Sequence, residues 1–139
     1  MRKIAIILIA CTVFCAANPQ PESTENHQQV LAAGNTQTVL ASCFTDQIGM
    51  RDNNLYAGNN YAELSINYLN KDFKALGGLP FGYKLQITYK GRSIIATKGD
   101  VGAGGPSHPK IDIHKKAAQA LGINNCDNFL DQVQIQFIG

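Results

Sequence analysis

Asp100 is the side chain whose position in the sequence most suggests chemistry. It stands where an alternating segment, Ser93–Thr97, runs into Val101–Pro106, a loop with three glycines. A carboxylate at the end of a strand, followed by a loop almost without side chains, is exposed to any ligand that binds there. Asp100 therefore either acts on a ligand or shapes the loop, and the elements around it must hold it in place.

The segments on either side of this acid predict a β-hairpin and a short helix. Lys84–Tyr89 alternates strictly between polar and apolar residues. Lys90-Gly91 is a two-residue turn that leads into a second strand over Arg92–Lys98. Ile111–Leu121 changes to an apolar residue at every fourth position, which predicts a helix.

Further strands are predicted over Val39–Phe44, Tyr61–Ile66 and Val133–Phe137, with turns rich in glycine and asparagine between the first two. Short strands, tight turns and one short helix predict a mostly-β fold, a small barrel. The loop Gly102–Gly105 lacks the lysine, the Ser/Thr and the long helix of a nucleotide-binding loop, so no cofactor is expected.

The N-terminus has the pattern of a secretory signal peptide. A basic start, Met1–Lys3, precedes an apolar run over Ile4–Ala17 that is short for a membrane span. A polar stretch with prolines follows, and such a stretch buries too little apolar surface to fold. The predicted division is a signal peptide over 1–17, a flexible linker over 18–38 and a folded domain over 39–139.

A second interpretation of the N-terminus stays open. Leu8–Cys11 resembles a bacterial lipobox, in which Cys11 would carry a lipid anchor and become the first residue. Both interpretations predict a secreted, periplasmic or cell-envelope protein whose contact with a membrane is limited to that anchor.

Cleavage after Ala17 would remove two of the four cysteines and leave Cys43 and Cys126. An even pair in an oxidising compartment predicts a disulfide. Closing so long a loop stabilises a fold by on the order of 4 kcal/mol in the chain-entropy model. Two isolated cysteines and three scattered histidines do not have the spacing of a metal site, so none is expected.

The charge balance argues against a nucleic-acid partner. Removing Arg2 and Lys3 reduces the 12 basic residues to 10, against 10 acidic residues. Phosphate backbones require a clustered basic surface. The basic residues from Lys71 to Arg92 are explained as well by a solvated hairpin face.

Six short features of the sequence resemble the double-psi β-barrel domain of the rare lipoprotein A family, which expansins and barwin-like proteins share more loosely. They are Leu79-Pro80-Phe81-Gly82, a strand, Gly91-Arg92-Ser93, Asp100-x-Gly102, Ile111-Asp112-Ile113 and Ala117-Ala118-x-Ala120-Leu121-Gly122. The similarity covers Tyr61 to Phe137. It implies a six-stranded double-psi β-barrel with one or two short helices.

The resemblance also implies an exported protein that binds or cleaves a cell-wall polysaccharide. In members that are lytic transglycosylases, an aspartate of a DRG motif is the acid/base, and its position falls on Asp100, the candidate general acid. The family's arginine is Val101 here, and Leu76-Gly77-Gly78 stands where those enzymes have a histidine. The sequence therefore leaves open whether the protein is an enzyme.

Asp112 is the second catalytic candidate, and its alternative role is to cap the predicted helix. A related pattern in other peptidoglycan-active barrels uses three aspartates, which Asp72, Asp100 and Asp112 resemble. The residues expected to bind the ligand are Gly102, Gly104, Gly105, His108, Tyr61 and Tyr83.

Three functions remain open from the sequence. The leading one is a monomeric protein that binds, and in its enzymatic form cleaves, peptidoglycan or a cellulose-like polysaccharide. The second is expansin-like binding of such a polysaccharide without turnover. The third is a barwin-like effector or protease inhibitor that contacts a protein partner.

Overall fold

The computed structural model describes residues 34–139. The predicted signal peptide, the lipobox at Cys11 and most of the predicted linker lie outside the described residues. The first strand begins at Thr36 rather than at Val39. No helix among residues 34–139 is long and apolar enough to cross a membrane.

Six strands and one short helix make up the domain. The strands are β1 (Thr36–Phe44), β2 (Asn60–Leu64), β3 (Lys84–Tyr89), β4 (Arg92–Gly102), β5 (Ile111–His114) and β6 (Leu130–Phe137). The helix α1 spans Lys115–Ala120, and a single 3₁₀ turn spans Leu55–Ala57.

The strands close into a barrel in the order β1-β5-β2-β4-β3-β6. The pairs β1/β5 and β2/β4 are parallel, and the other four pairs are antiparallel. The predicted fold class, a small six-stranded double-psi β-barrel with a short helix, is confirmed. The barrel encloses one apolar core, whose fully buried members include Leu85, Ile87, Ile111, Ile113 and Ile135.

The predicted hairpin is present, with β3 and β4 joined through Lys90 and Gly91. Both turn residues have positive φ, 44° and 79°, as the tight turns that match strand twist require. β4 continues to Gly102 instead of ending at Lys98, because β2 pairs in parallel with its second half. Asp100 therefore lies within a strand and not at the mouth of a loop.

The predicted helix over Ile111–Leu121 is wrong at its start. Ile111–His114 is strand β5, paired with β1 on one side and β2 on the other. The four-residue apolar spacing crosses the junction between this strand and α1, so it imitates a longer helix. The N-cap is His114, whose Nδ1 accepts the backbone N–H of Lys116 at 3.3 Å.

The predicted disulfide is present. Cys43 on β1 is bonded to Cys126, with their Cα atoms 5.1 Å apart. The bridge ties the first strand of the barrel to the segment that leads into the last one.

Candidate functional site

A cavity of about 400 Å³ lies between the end of β1 and the glycine-rich loop that follows β4. The residues that line it include Ser42, Leu64, Asp112, Ser107 and Leu130, together with residues 102–105. We call this cavity the groove. It brings together Asp112, Gly102, Gly104 and Gly105 of the predicted site residues.

The wall of the groove requires glycine at position 102. A Cβ on Gly102 would lie 2.7 Å from Cδ2 of Leu64, closer than real Cβ atoms approach. Gly104 has φ +71°, a conformation that other residues rarely adopt. One wall of the groove is therefore poor in side chains, and the others are formed by residues such as Leu64, Ser107 and Leu130.

Asp112 is the acid of the groove. Burial raises its pKa to about 6, and the negative charges of Asp46 and Asp100 add to the shift while Ser42 opposes it. Its Oδ1 is buried without a hydrogen-bond partner among the described residues. A carboxyl with such a pKa holds its proton in mildly acidic solution and can donate it to a ligand.

Asp100 and Asp112 are neighbours across β2. Ala62 pairs with Asp100 on β4 and with Asp112 on β5, so the two acidic residues lie on the strands on either side of β2. Asp100 is only 8% exposed and does not line the groove. Its Oδ1 accepts the backbone N–H groups of Met50 and Val101, both at 2.9 Å.

The bond to Met50 fixes a second hairpin, formed by residues 47–54 and called here the tip hairpin. Ile48 and Asn54 pair across it, and the backbone N–H of Gly49 donates to the carbonyl of Asn53 at 2.9 Å. The Asn53 side chain donates to the carbonyl of Gly99 on β4 at 3.1 Å. The tip hairpin is thus docked onto the barrel at Gly99 and Asp100.

Glycine permits this docking. A Cβ on Gly49 would lie 2.7 Å from Oδ1 of Asn53 and 2.9 Å from the carbonyl oxygen of Gly99. Ile48 and Met50 flank this glycine, and their side chains are 52% and 64% exposed. Because Gly49 has no side chain, its backbone packs closely against β4, while Ile48 and Met50 on either side of it remain exposed to solvent.

A buried ion pair, which the sequence did not reveal, holds the segment from Leu76 to Leu79. Glu63 is fully buried, and its Oε2 accepts Nζ of Lys98 at 2.6 Å. The same carboxylate accepts three backbone N–H groups, those of Leu76, Gly78 and Leu79. The only signal in the sequence is one acid inside an otherwise apolar strand, which does not identify its partners.

The remaining candidates do not line the groove. Tyr61 is fully buried, and its hydroxyl donates to the carbonyl of Tyr83 at 3.3 Å. Tyr83 packs against the core, where its ring meets that of Phe137 in an edge-to-face contact. Tyr61 accordingly has no surface for a ligand.

The histidines and the third aspartate have other neighbours. His108 is exposed in the loop before β5 and meets Tyr68 edge-on. His114 is buried, and burial lowers its pKa. Asp72 accepts the backbone N–H of Ile66 at 2.7 Å. Within residues 34–139, no three His, Cys, Asp or Glu side chains are grouped to hold a metal ion.

No protein-family model matches the chain. No curated protein matches it by sequence. Among solved structures, the chain is similar to the Streptomyces papain inhibitor, with 17% sequence identity and a TM-score of 0.53. The match covers 78% of this chain and 99% of that one. At this identity the similarity establishes the shared barrel fold.

Proposed function

We propose that the protein is exported and binds a cell-wall polysaccharide in the groove, with Asp112 as the group that can donate a proton. The supporting observation is an acid with a pKa of about 6 that faces a cavity of about 400 Å³. A pyranose ring is small enough for a cavity of this volume, and the glycine-rich wall leaves room beside Asp112.

Asp112 replaces Asp100 as the proposed acid because of their surroundings. Cleavage of a glycosidic bond needs a proton donor at the leaving oxygen, within hydrogen-bond reach. Asp112 lines the groove, whereas Asp100 Oδ1 is occupied by two backbone N–H groups. Asp100 then acts as a fixed acceptor that positions backbone and adds negative potential beside Asp112.

The test measures binding and turnover separately. The protein is incubated with insoluble peptidoglycan or cellulose, the bound fraction is measured, and soluble products are identified by mass spectrometry. We expect binding that Leu130→Arg, at the rim of the groove, weakens. If products form, Asp112→Asn should abolish them and Asp100→Asn should leave them. Binding to neither polymer would refute the proposal.

A second function, inhibition of a papain-type cysteine protease, is favoured by two observations. The fold is shared with a protein named as a papain inhibitor, along almost the whole of that chain. The tip hairpin also carries exposed apolar side chains on a backbone that is fixed to the barrel. Inhibition of papain, assayed with a fluorogenic peptide, tests this function directly.

A further inference from the structure

We infer that the tip hairpin is the element that enters the protease, with Ile48 and Met50 as its apolar contacts. The inference rests on the second function proposed above and names the surface that would carry it out. The partner site is the substrate-binding cleft of the protease, which must accept a segment of polypeptide.

Exposure of Ile48 and Met50 is the first support. Both side chains leave more than half of their surface in solvent, and burial of this apolar surface against a partner is favourable. The two side chains stand on either side of Gly49 in the tip hairpin, and both are exposed. The tip hairpin thus offers apolar surface that a partner can cover, on an element whose backbone is fixed to the barrel.

Rigidity of the tip hairpin is the second support. Its backbone is held by the Asp100 carboxylate at Met50 and by the Asn53 side chain at Gly99. A turn closes it, in which the N–H of Asp52 donates to the carbonyl of Gly49 at 3.0 Å. A loop that is already fixed loses little conformational entropy on binding, so more of the contact energy appears as affinity.

The dimensions of the tip hairpin suit such a cleft. Two paired strands are about 5 Å apart, so a hairpin tip is a narrow wedge. The guanidinium of Arg51 lies 4.9 Å from the centroid of the Phe81 ring, so this side chain folds back against the rest of the domain. The tip therefore presents apolar side chains without Arg51 between them and the partner.

The tip hairpin is separate from the groove, because none of its residues lines that cavity. The two proposals can therefore be tested with different variants. Met50→Glu and Ile48→Glu each place a charge on a side chain of the tip hairpin that is more than half exposed. Leu69→Glu is the matched control, since Leu69 is 71% exposed in a different loop.

The experiment measures the inhibition constant against papain for the wild-type protein and each variant, after thermal melts verify folding. We expect Met50→Glu and Ile48→Glu each to weaken inhibition at least about tenfold, as removal of an apolar anchor does. Leu69→Glu should stay within about twofold. Gly49→Ala keeps both apolar side chains but displaces the backbone, and it should also weaken inhibition.

The outcomes separate the role of the tip hairpin from the inhibitor function. Inhibition by the wild type that survives both glutamate substitutions would overturn the role of the tip hairpin and leave the inhibitor function standing. A wild-type protein that does not inhibit papain would overturn the inhibitor function, and with it this inference. Loss of inhibition in Leu69→Glu equal to that in Met50→Glu would also count against the tip hairpin.

Discussion

Asp100 and Met50 are joined by a hydrogen bond across 50 residues of sequence, with the carboxylate accepting the backbone N–H at 2.9 Å. The acid that the sequence singles out as a catalyst therefore binds the tip hairpin to the barrel. Together with the bond from Asn53 to Gly99, this link fixes the tip hairpin to a strand that is distant in the sequence.

Removal of the Asp100 carboxylate should loosen the tip hairpin. We expect Asp100→Ala to lower the free energy of unfolding by about 1–3 kcal/mol, since two backbone N–H groups lose their acceptor. The amide of Met50 should exchange with deuterium faster in this variant. Asp100→Asn keeps an acceptor oxygen and should preserve slow exchange, and rapid exchange in both variants would contradict the proposed geometry.

Loss of the buried Glu63 carboxylate should be more damaging. Glu63→Gln leaves Lys98 buried without its counter-ion, and breaking such a pair costs about 3–5 kcal/mol. Chemical denaturation monitored by circular dichroism measures this difference. We expect a large drop in the denaturation midpoint.

The double variant Glu63→Gln/Lys98→Met is the control for charge. Because it removes the unpaired ammonium, it should recover part of the stability lost in the single variant. A double variant as unstable as the sum of its two single variants would show that the three backbone bonds to Glu63, and not the ion pair, dominate.

Asp112 should make stability depend on pH between about 4 and 6. Its pKa is raised from 3.8 to about 6 in the folded state, so the folded protein retains a proton that the unfolded chain has released. The contribution of Asp112 to the free energy of unfolding is therefore largest below about pH 4, and it is lost as the pH rises through 6. The loss is at most about 3 kcal/mol, since each pKa unit corresponds to about 1.4 kcal/mol.

Asp112→Asn tests this effect, because the amide stays neutral at every pH. Its melting temperature should match that of the wild type near pH 3.5 and exceed it at pH 7. The exposed Asp127→Asn removes the same charge elsewhere and serves as the control. An Asp112→Asn variant whose advantage does not change with pH would contradict the raised pKa.

The disulfide should contribute strongly to stability. Cys43 and Cys126 are separated by 83 positions, and a loop of that length is worth about 4.5 kcal/mol in the chain-entropy model. The variant Cys43→Ala/Cys126→Ala should melt at a markedly lower temperature. Reductant should lower the melting temperature of the wild type toward that of the variant and leave the variant unchanged.

The sequence predicted what depends on local pattern. Strict alternation placed β3 over Lys84–Tyr89 with its observed bounds, and Lys90-Gly91 identified the turn. Local pattern failed where a strand meets a helix, because the apolar positions of β5 and α1 fall by coincidence on one helical period. Here pairing with two neighbouring strands overrides the periodic signal.

The rest depends on contacts between distant segments, which a single sequence does not encode in a readable way. Nothing near Glu63 in the sequence indicates Lys98, and nothing near Met50 indicates Asp100. The choice between Asp100 and Asp112 as the acid that lines the groove likewise required knowing which carboxylate the tip hairpin covers. Residue type identified both candidates, whereas tertiary packing distinguished them.

The strand order has a consequence for how the chain acquires its fold. β1 lies between β5 and β6, and β2 lies between β4 and β5, so neither early strand has a neighbour until the C-terminal half is present. Only β3 and β4 meet through a short turn. Because entropy must be lost before distant strands pair, we expect refolding in milliseconds to seconds, with that hairpin forming first. The barrel then closes in a late step, and a fragment that lacks β1 or β6 leaves the sheet open.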